Sequence, residues 1–190
     1  PVIKTFLASD SLSKVDILHL NEQWNYLDLK IYTLNQSQEI PVPIEEAWEF
    51  FSKPENLNEI TPPDLEFRIT SGKPAPMHEG QIVTYKIRVA PMIWNRWVTE
   101  IKAVTDGKQF IDEQRSGPYK FWHHLHQFES TENGTLLKDQ VNYSLPFGIL
   151  GDIAHAVYVK NKLQKIFNFR KEILAEKFGW FIIQRFHPNF

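Results

Sequence analysis

The sequence predicts an α+β domain in which a curved antiparallel sheet of about seven strands wraps around a long C-terminal helix, with two short helices after the first strand. Three observations carry that expectation. After Pro62 and Pro63 apolar residues recur at every second position for about eighty residues, the period of half-buried strands. The period then becomes helical, with apolar residues three and four apart through GDIAHAVYVKNKLQKIFNFRKEILAEKFG. Finally, 190 residues that are 42% apolar and 23% charged have the size and balance of one ordinary globular domain.

The first strand is expected in KIYTLNQSQEIPV, which alternates Ile31, Thr33, Asn35 and Ser37 against Tyr32, Leu34, Gln36 and Gln38 and ends at prolines. Pro43 then opens PIEEAWEFFSKPENLNEITPP, placing Glu45 and Glu46 in a first turn and Ile44, Trp48 and Phe51 on one face. This predicts a short helix broken at Pro54, then a second one terminated by Pro62 and Pro63. Strands are expected near 65–70, 80–90, 93–104, 108–115, 119–129 and 135–145. Ala90–Pro91, Asp106–Gly107, Gly117–Pro118 and Asn133–Gly134 supply turns between antiparallel neighbours. A helix over 152–178, stopped by Gly179, would be roughly 40 Å long against roughly 33 Å for a ten-residue strand, so it can span the sheet. The twist of such a sheet lets its concave face clasp the helix and leave a space between them. The expected divisions are an N-terminal extension at 1–28, the domain at 29–179, and an apolar tail at 180–190 that packs on the body or meets a second copy in a homodimer.

Composition removes several classes of function. No cysteine means no disulfide, thiolate metal ligand or thiol nucleophile. A net charge of −2 provides no field for gathering phosphate backbones, so nucleic acid is not an expected partner. No uncharged apolar stretch reaches the roughly 20 residues of a membrane span. PVIKTFLASDSLSK lacks the pattern of a secretory signal, and a cytoplasmic address is expected. The scattered glycines form neither a dinucleotide nor a phosphate loop, and no G-x-S-x-G or S-x-x-K nucleophile motif exists, so no cofactor is expected. What stands out is ring content: 14% of the residues are aromatic, with 14 Phe, 6 Trp and 6 Tyr.

Alternation indicates which side chains would face the space. The more apolar registers are Val83, Tyr85, Ile87 and Val89; Trp97, Thr99 and Ile101; and Leu137, Val141, Tyr143 and Leu145. Lys86, Arg88, Arg96, Glu100, Lys102 and Lys138 fall on the other face. The bland reading makes the first set plain core. The functional one makes Tyr85, Trp97, Thr99, His124 and Tyr143 ligand contacts, with Trp48 and Phe51 covering one end. In GPYKFWHHLHQFE, His124 and His126 share a strand face while His123 lies opposite, so two imidazoles at most approach one point. A metal would need a third ligand from elsewhere, and no metal is assigned. In FIDEQRSG only one of Asp112 and Glu113 can point inward; Glu113 and His124 are the candidates for acid–base chemistry in a dry cavity.

The order of elements resembles the helix-grip fold of the SRPBCC superfamily, which includes START domains, polyketide cyclases and birch-pollen-allergen-like proteins. The phrases IPVPIEEAWEFFSKPENLNEITPP, GQIVTYKIRV, WVTEI, FIDEQRSGPYKFWHHLHQFE and LKDQVNYSLPFGILGDIAH resemble in particular a branch of short, stand-alone bacterial members. The resemblance covers about residues 30–178 and implies a fold and a cavity rather than a reaction. The expected function is binding of a small hydrophobic or amphipathic ligand between sheet and C-terminal helix. The alternatives are a cyclase-, dehydratase- or hydrolase-like enzyme using a cavity Glu or His, and a protein-interaction module.

Overall fold

The computed structural model describes residues 30–72, 75–90 and 92–179. Contacts divide the chain into Pro1–Ile31 and Tyr32–Phe190, and the architecture below belongs to the second unit. The expected extension at 1–28 and tail at 180–190 lie outside the described residues.

Strand β1 (Tyr32–Ile40) leads into helix α1 (Ile44–Phe51). Five further strands of substantial length follow a two-residue β2 (Arg68–Ile69): β3 (Ile82–Ala90), β4 (Ile93–Thr105), β5 (Gln109–Ser116), β6 (Phe121–Thr131) and β7 (Gly134–Ser144). They form one seven-stranded sheet in the order β1-β7-β6-β5-β4-β3-β2, every adjacent pair antiparallel. The predicted helix-grip architecture is the observed one.

Two elements differ from expectation. In place of a second short helix the chain makes two 3-10 turns, Pro54–Asn58 and Pro63–Leu65. Each begins with a proline, and neither run is long enough for a ladder of i→i−4 hydrogen bonds. The C-terminal helix starts earlier than expected and is not uniform: α2 (Ile149–Ala154), one π-helical turn (His155–Val159) and α3 (Lys160–Phe178) follow one another with right-handed helical backbone at both junctions. Gly179, at φ 101°, ends it as predicted.

The elements pack in two apolar clusters. One joins Ile40, Phe50, Phe110, Phe128, Leu137 and Leu174; the other joins Trp122, Val141, Tyr143, Leu163 and Phe167. Strand β6 contributes to both, with Trp122 at one end of its inward face and Phe128 at the other, and α3 does the same with Leu163, Phe167 and Leu174. At the free end of β3, the Tyr158 hydroxyl and the Lys162 ammonium both donate to the Val89 carbonyl, at 3.0 and 2.6 Å, tying helix to sheet.

The β6–β7 turn depends on Gly134. Its φ of 148° is one that L side chains rarely adopt, and a Cβ there would lie 2.2 Å from the Ile40 carbonyl oxygen. Gly107, in the β4–β5 turn at φ 69°, faces open space. Gly134→Ala should therefore cost roughly 2–3 kcal/mol and Gly107→Ala roughly 1 kcal/mol, compared by urea denaturation. Equal costs would show that backbone strain alone, without the steric clash, sets the Gly134 requirement.

Candidate functional site

A cavity of about 310 Å³ lies between the concave face of the sheet and the helix. Its apolar wall comes from α1 and the turn after it (Phe51, Leu57), β3 (Val83, Ile87), β4 (Ile101) and α3 (Ile166). The spacing of Leu163, Ile166, Phe167 and Arg170 on α3 puts all four on one helical face, and all four line the space. Inward alternation explains the strand residues: Tyr85 pairs with Trp97 and Val83 with Thr99 across β3 and β4, and all four reach the cavity.

Among the sequence-predicted contacts, Phe51, Tyr85, Trp97, Thr99 and His124 line the cavity, whereas Trp48 and Tyr143 do not. Trp48 packs edge-on against Phe110 and Phe128, with centroids 6.0 and 5.4 Å away. Tyr143 is 2% exposed within the second apolar cluster, and its hydroxyl lies 2.9 Å from His155 Nε2. Glu113 pairs with Glu100 on one side and His123 on the other, the face turned away from the cavity, while Asp112 lines it. The cause is register. Asp112 follows the buried Phe110 by two residues and pairs with Ile101 on β4 and His124 on β6, so it points inward with them.

The polar part of the wall, Asp112, His124 and His126, is joined by Asp139 in a block of four alternating side chains. Asp112 on β5 stands opposite His124 on β6, and Asp139 on β7 stands opposite His126. Each imidazole lies between the two carboxylates. His124 Nε2 is 2.8 Å from Asp139 Oδ1 and its Nδ1 is 3.4 Å from Asp112 Oδ2. His126 Nε2 is 2.9 Å from Asp112 Oδ2 and its Nδ1 is 2.9 Å from Asp139 Oδ1. Trp122 donates its indole N–H to Asp112 Oδ1 at 3.2 Å, Phe110 stacks on His126 at 4.1 Å, and Arg170 Nη1 stands 3.6 Å from Asp139 Oδ1. His124 and His126 are 4% and 8% exposed.

Counting protons explains the one long contact. Burial opposes the charge on His126, but its bonds to Asp112 and Asp139 outweigh burial and hold it protonated above the usual imidazole range. Burial and the neighbouring His126 charge push His124 the other way, outweighing Asp139 and Asp112, so it stays neutral with one proton to share. That proton belongs on the 2.8 Å bond to Asp139, leaving the 3.4 Å approach to Asp112 without one. Burial pushes both carboxyls up, yet the histidine hydrogen bonds and charges hold them below the ordinary range, Asp139 furthest. With His126 protonated, two carboxylates, one imidazolium and one guanidinium sum to zero, which is how a group of charges is kept inside a core.

Asp139 and Arg170 escaped the sequence reading, although both carry a visible signal. Asp139 interrupts the apolar register of Leu137, Val141 and Tyr143 with a charge, and Arg170 occupies the i+3 position after Phe167 on the apolar face of the helix.

Linkage makes these carboxylates measurable. A group whose folded pKa is depressed contributes stability that is present above its ordinary value, 3.8 for Asp139, and lost as the pH falls through the folded value. The two histidines act in opposite senses, His126 favouring the fold below its ordinary 6.5 and His124 above it, so the acid limb is the clean one. Asp139→Asn should flatten that limb and cost roughly 3–5 kcal/mol at neutral pH, since it leaves a buried imidazolium and a guanidinium with Asp112 as the one carboxylate in the group. Denaturant midpoints from pH 2 to 8 in both proteins check this; parallel curves would place the acid sensitivity elsewhere.

Comparison with solved structures agrees with the geometry. A Chromobacterium violaceum protein superposes with a TM-score of 0.59 at 11% identity, over 77% of this chain and 96% of its own. The Panax ginseng major latex-like protein 151 does so at 0.58 and 12%, over 78% and 97%. A Thalictrum norcoclaurine synthase mutant bound to a transition-state analogue gives 0.56 and 11%, over 78% and 96%. At these identities the likeness is one of fold. No curated protein matches the sequence significantly. The profile of one family, described as polyketide cyclase / dehydrase and lipid transport, matches residues 40–165, and the chain belongs to that family.

Proposed function

We propose that the chain binds a small hydrophobic or amphipathic guest in the cavity between the sheet and α3, with the guest's apolar body against the rings and its polar end at the Asp112–His124–His126–Arg170 wall. The observation that carries this reading is buried hydrogen-bonding capacity left over beside an otherwise apolar space. Arg170 Nε and Nη1 and the Trp97 indole N–H have no hydrogen-bond partner among the described residues, and both side chains line the cavity. An unpaired buried donor costs about 1–3 kcal/mol, so a guest presenting a carbonyl or carboxylate oxygen there gains what the empty protein lacks. Family membership supports the same reading, because its description includes lipid transport. Burying about 300 Å² of apolar guest would contribute roughly 7 kcal/mol before association costs, which corresponds to micromolar or weaker binding.

A second reading is proton transfer within the cavity. It is favoured by the His126–Asp112 couple at 2.9 Å, both members facing the space, and the Thalictrum enzyme shows that the fold accommodates catalysis. In this reading Asp112 takes the role the sequence suggested for Glu113.

Native mass spectrometry of protein purified under non-denaturing conditions tests the first reading; a co-purified mass released by organic solvent is the expected result. Trp97 packs against Tyr119 and Trp122 at 5.5 and 5.1 Å while bordering the cavity. Trp97→Ala should therefore lower occupancy by an apolar fluorescent probe by more than it lowers stability. Proportionate losses of both would reduce the residue to core packing and count against a binding cavity.

A further inference from the structure

The geometry points to a divalent transition-metal site in the cavity wall, with His124 Nδ1, His126 Nε2 and Asp112 Oδ2 as ligands, Asp139 as the carboxylate that orients both imidazoles, and an open side facing the cavity. The requirement that the sequence left unmet was a third ligand from another element. The β5–β6 register supplies it, since Asp112 stands directly opposite His124.

Four features of the cluster fit a metal better than a simple ion pair. First, Asp112, His124 and His126 each offer a ligand atom within 4.8 Å of the others, and Asp112 Oδ2 stands 3.4 Å from His124 Nδ1 and 2.9 Å from His126 Nε2. Ligands bound at about 2.0–2.2 Å stand about 3.0–3.5 Å apart, so small ring movements close the site. Second, the remaining nitrogen of each ring, His124 Nε2 and His126 Nδ1, is directed at one atom, Asp139 Oδ1, at 2.8 and 2.9 Å. A carboxylate behind each imidazole is the usual outer partner of a metal-bound histidine, fixing the tautomer that turns the lone pair inward. Third, Asp112 is itself positioned, its other oxygen receiving the Trp122 indole N–H at 3.2 Å. Fourth, Asp112, His124 and His126 border the cavity whereas Asp139 does not, so an ion would sit at the inner surface with coordination positions open to the guest. Arg170 Nη1 stands 3.6 Å from Asp139 Oδ1, the oxygen that both imidazoles approach, and is not among the ligands.

Two imidazoles and one carboxylate select first-row transition ions over magnesium or calcium, which prefer all-oxygen shells. An ion here replaces the proton that His126 otherwise shares with Asp112. A guest oxygen would then complete its coordination. The site shares the cavity with the binding reading but rests on different observations, so either can fail alone.

The test uses the tag-free full chain, stripped with chelator and dialysed, and titrated with ZnCl2 or CoCl2 while the Trp122 indole N–H is followed by NMR. The expected result is uptake of one equivalent. Zn²⁺ should shift the Trp122 indole signal, Co²⁺ should broaden it beyond detection, and MgCl2 should leave it unchanged. Asp112→Asn should weaken uptake at least tenfold, and His123→Ala, on the opposite face, should leave it unaltered. If Asp112→Asn fails to fold, the wild-type indole signal still decides. No stoichiometric uptake, or uptake that leaves the Trp122 signal untouched, overturns the site; uptake of an apolar probe by the same sample would then leave the binding cavity standing.

Discussion

A belt of buried charge across the middle of the domain sets the terms for everything around it. Asp112, His124, His126, Asp139 and Arg170 come from three adjacent strands and the facing helix, and they separate the two apolar clusters. Along β6 the inward face reads Trp122, His124, His126, Phe128, which is apolar, polar, polar, apolar; α3 repeats the theme with Phe167, Arg170 and Leu174. An oil-like core could tolerate small slips of strand or helix. This one cannot, because a shift by one residue would leave unpaired charge in a medium that solvates it poorly. Burying such a group is often no more stabilising than filling the same volume with hydrocarbon, so its presence asks for a reason beyond stability. Its position at the wall of a cavity supplies one.

The rings that make up so much of the composition have a related task. Trp97, Tyr119 and Trp122 contact one another edgewise or tilted with centroids 4.8 to 5.5 Å apart, forming a stiff wall at one end of the space. At the other end Phe51 and Phe110 border the space and are held by edge-on contacts to Phe128 and Trp48 behind them. Large flat side chains held by their neighbours cannot collapse into the opening as flexible aliphatics would. Rigid ends and a charged middle keep a void open against the tendency of interiors to fill.

Strand alternation and helix spacing made the architecture legible before any coordinates, because both are properties of the backbone that a single chain displays in its residue order. The inward positions of Tyr85, Trp97, Thr99 and His124 follow from the same rule. What order along the chain cannot display is which strand residue stands opposite which. The choice between Asp112 and Glu113 turned on the pairing of β5 with β4 and β6, including an irregularity of the β4–β5 ladder between Ile101 and Ala103. Tyr143 had the right parity but is packed against Tyr119, Trp122 and, in the π-helical turn, His155, so it stands behind rings that line the cavity. Asp139 and Arg170 were overlooked for the opposite reason: a lone charge amid apolar periodicity reads as noise until a partner from a distant strand comes into view.

The π-helical turn at His155–Val159 carries a geometric debt that the rest of the helix inherits. A residue more than an α-turn would use rotates everything before it by about 100° relative to everything after. That single inserted step lets Tyr158 reach the Val89 carbonyl while Leu163 and Phe167 still face the sheet. Straightening the turn into regular α-helix would swing the leading segment, with its outward Phe147, Ile149 and Leu150, around the rim like a key in a lock. The helix is thus two pieces of one rod, joined at a turn whose last two residues, Tyr158 and Val159, border the chamber.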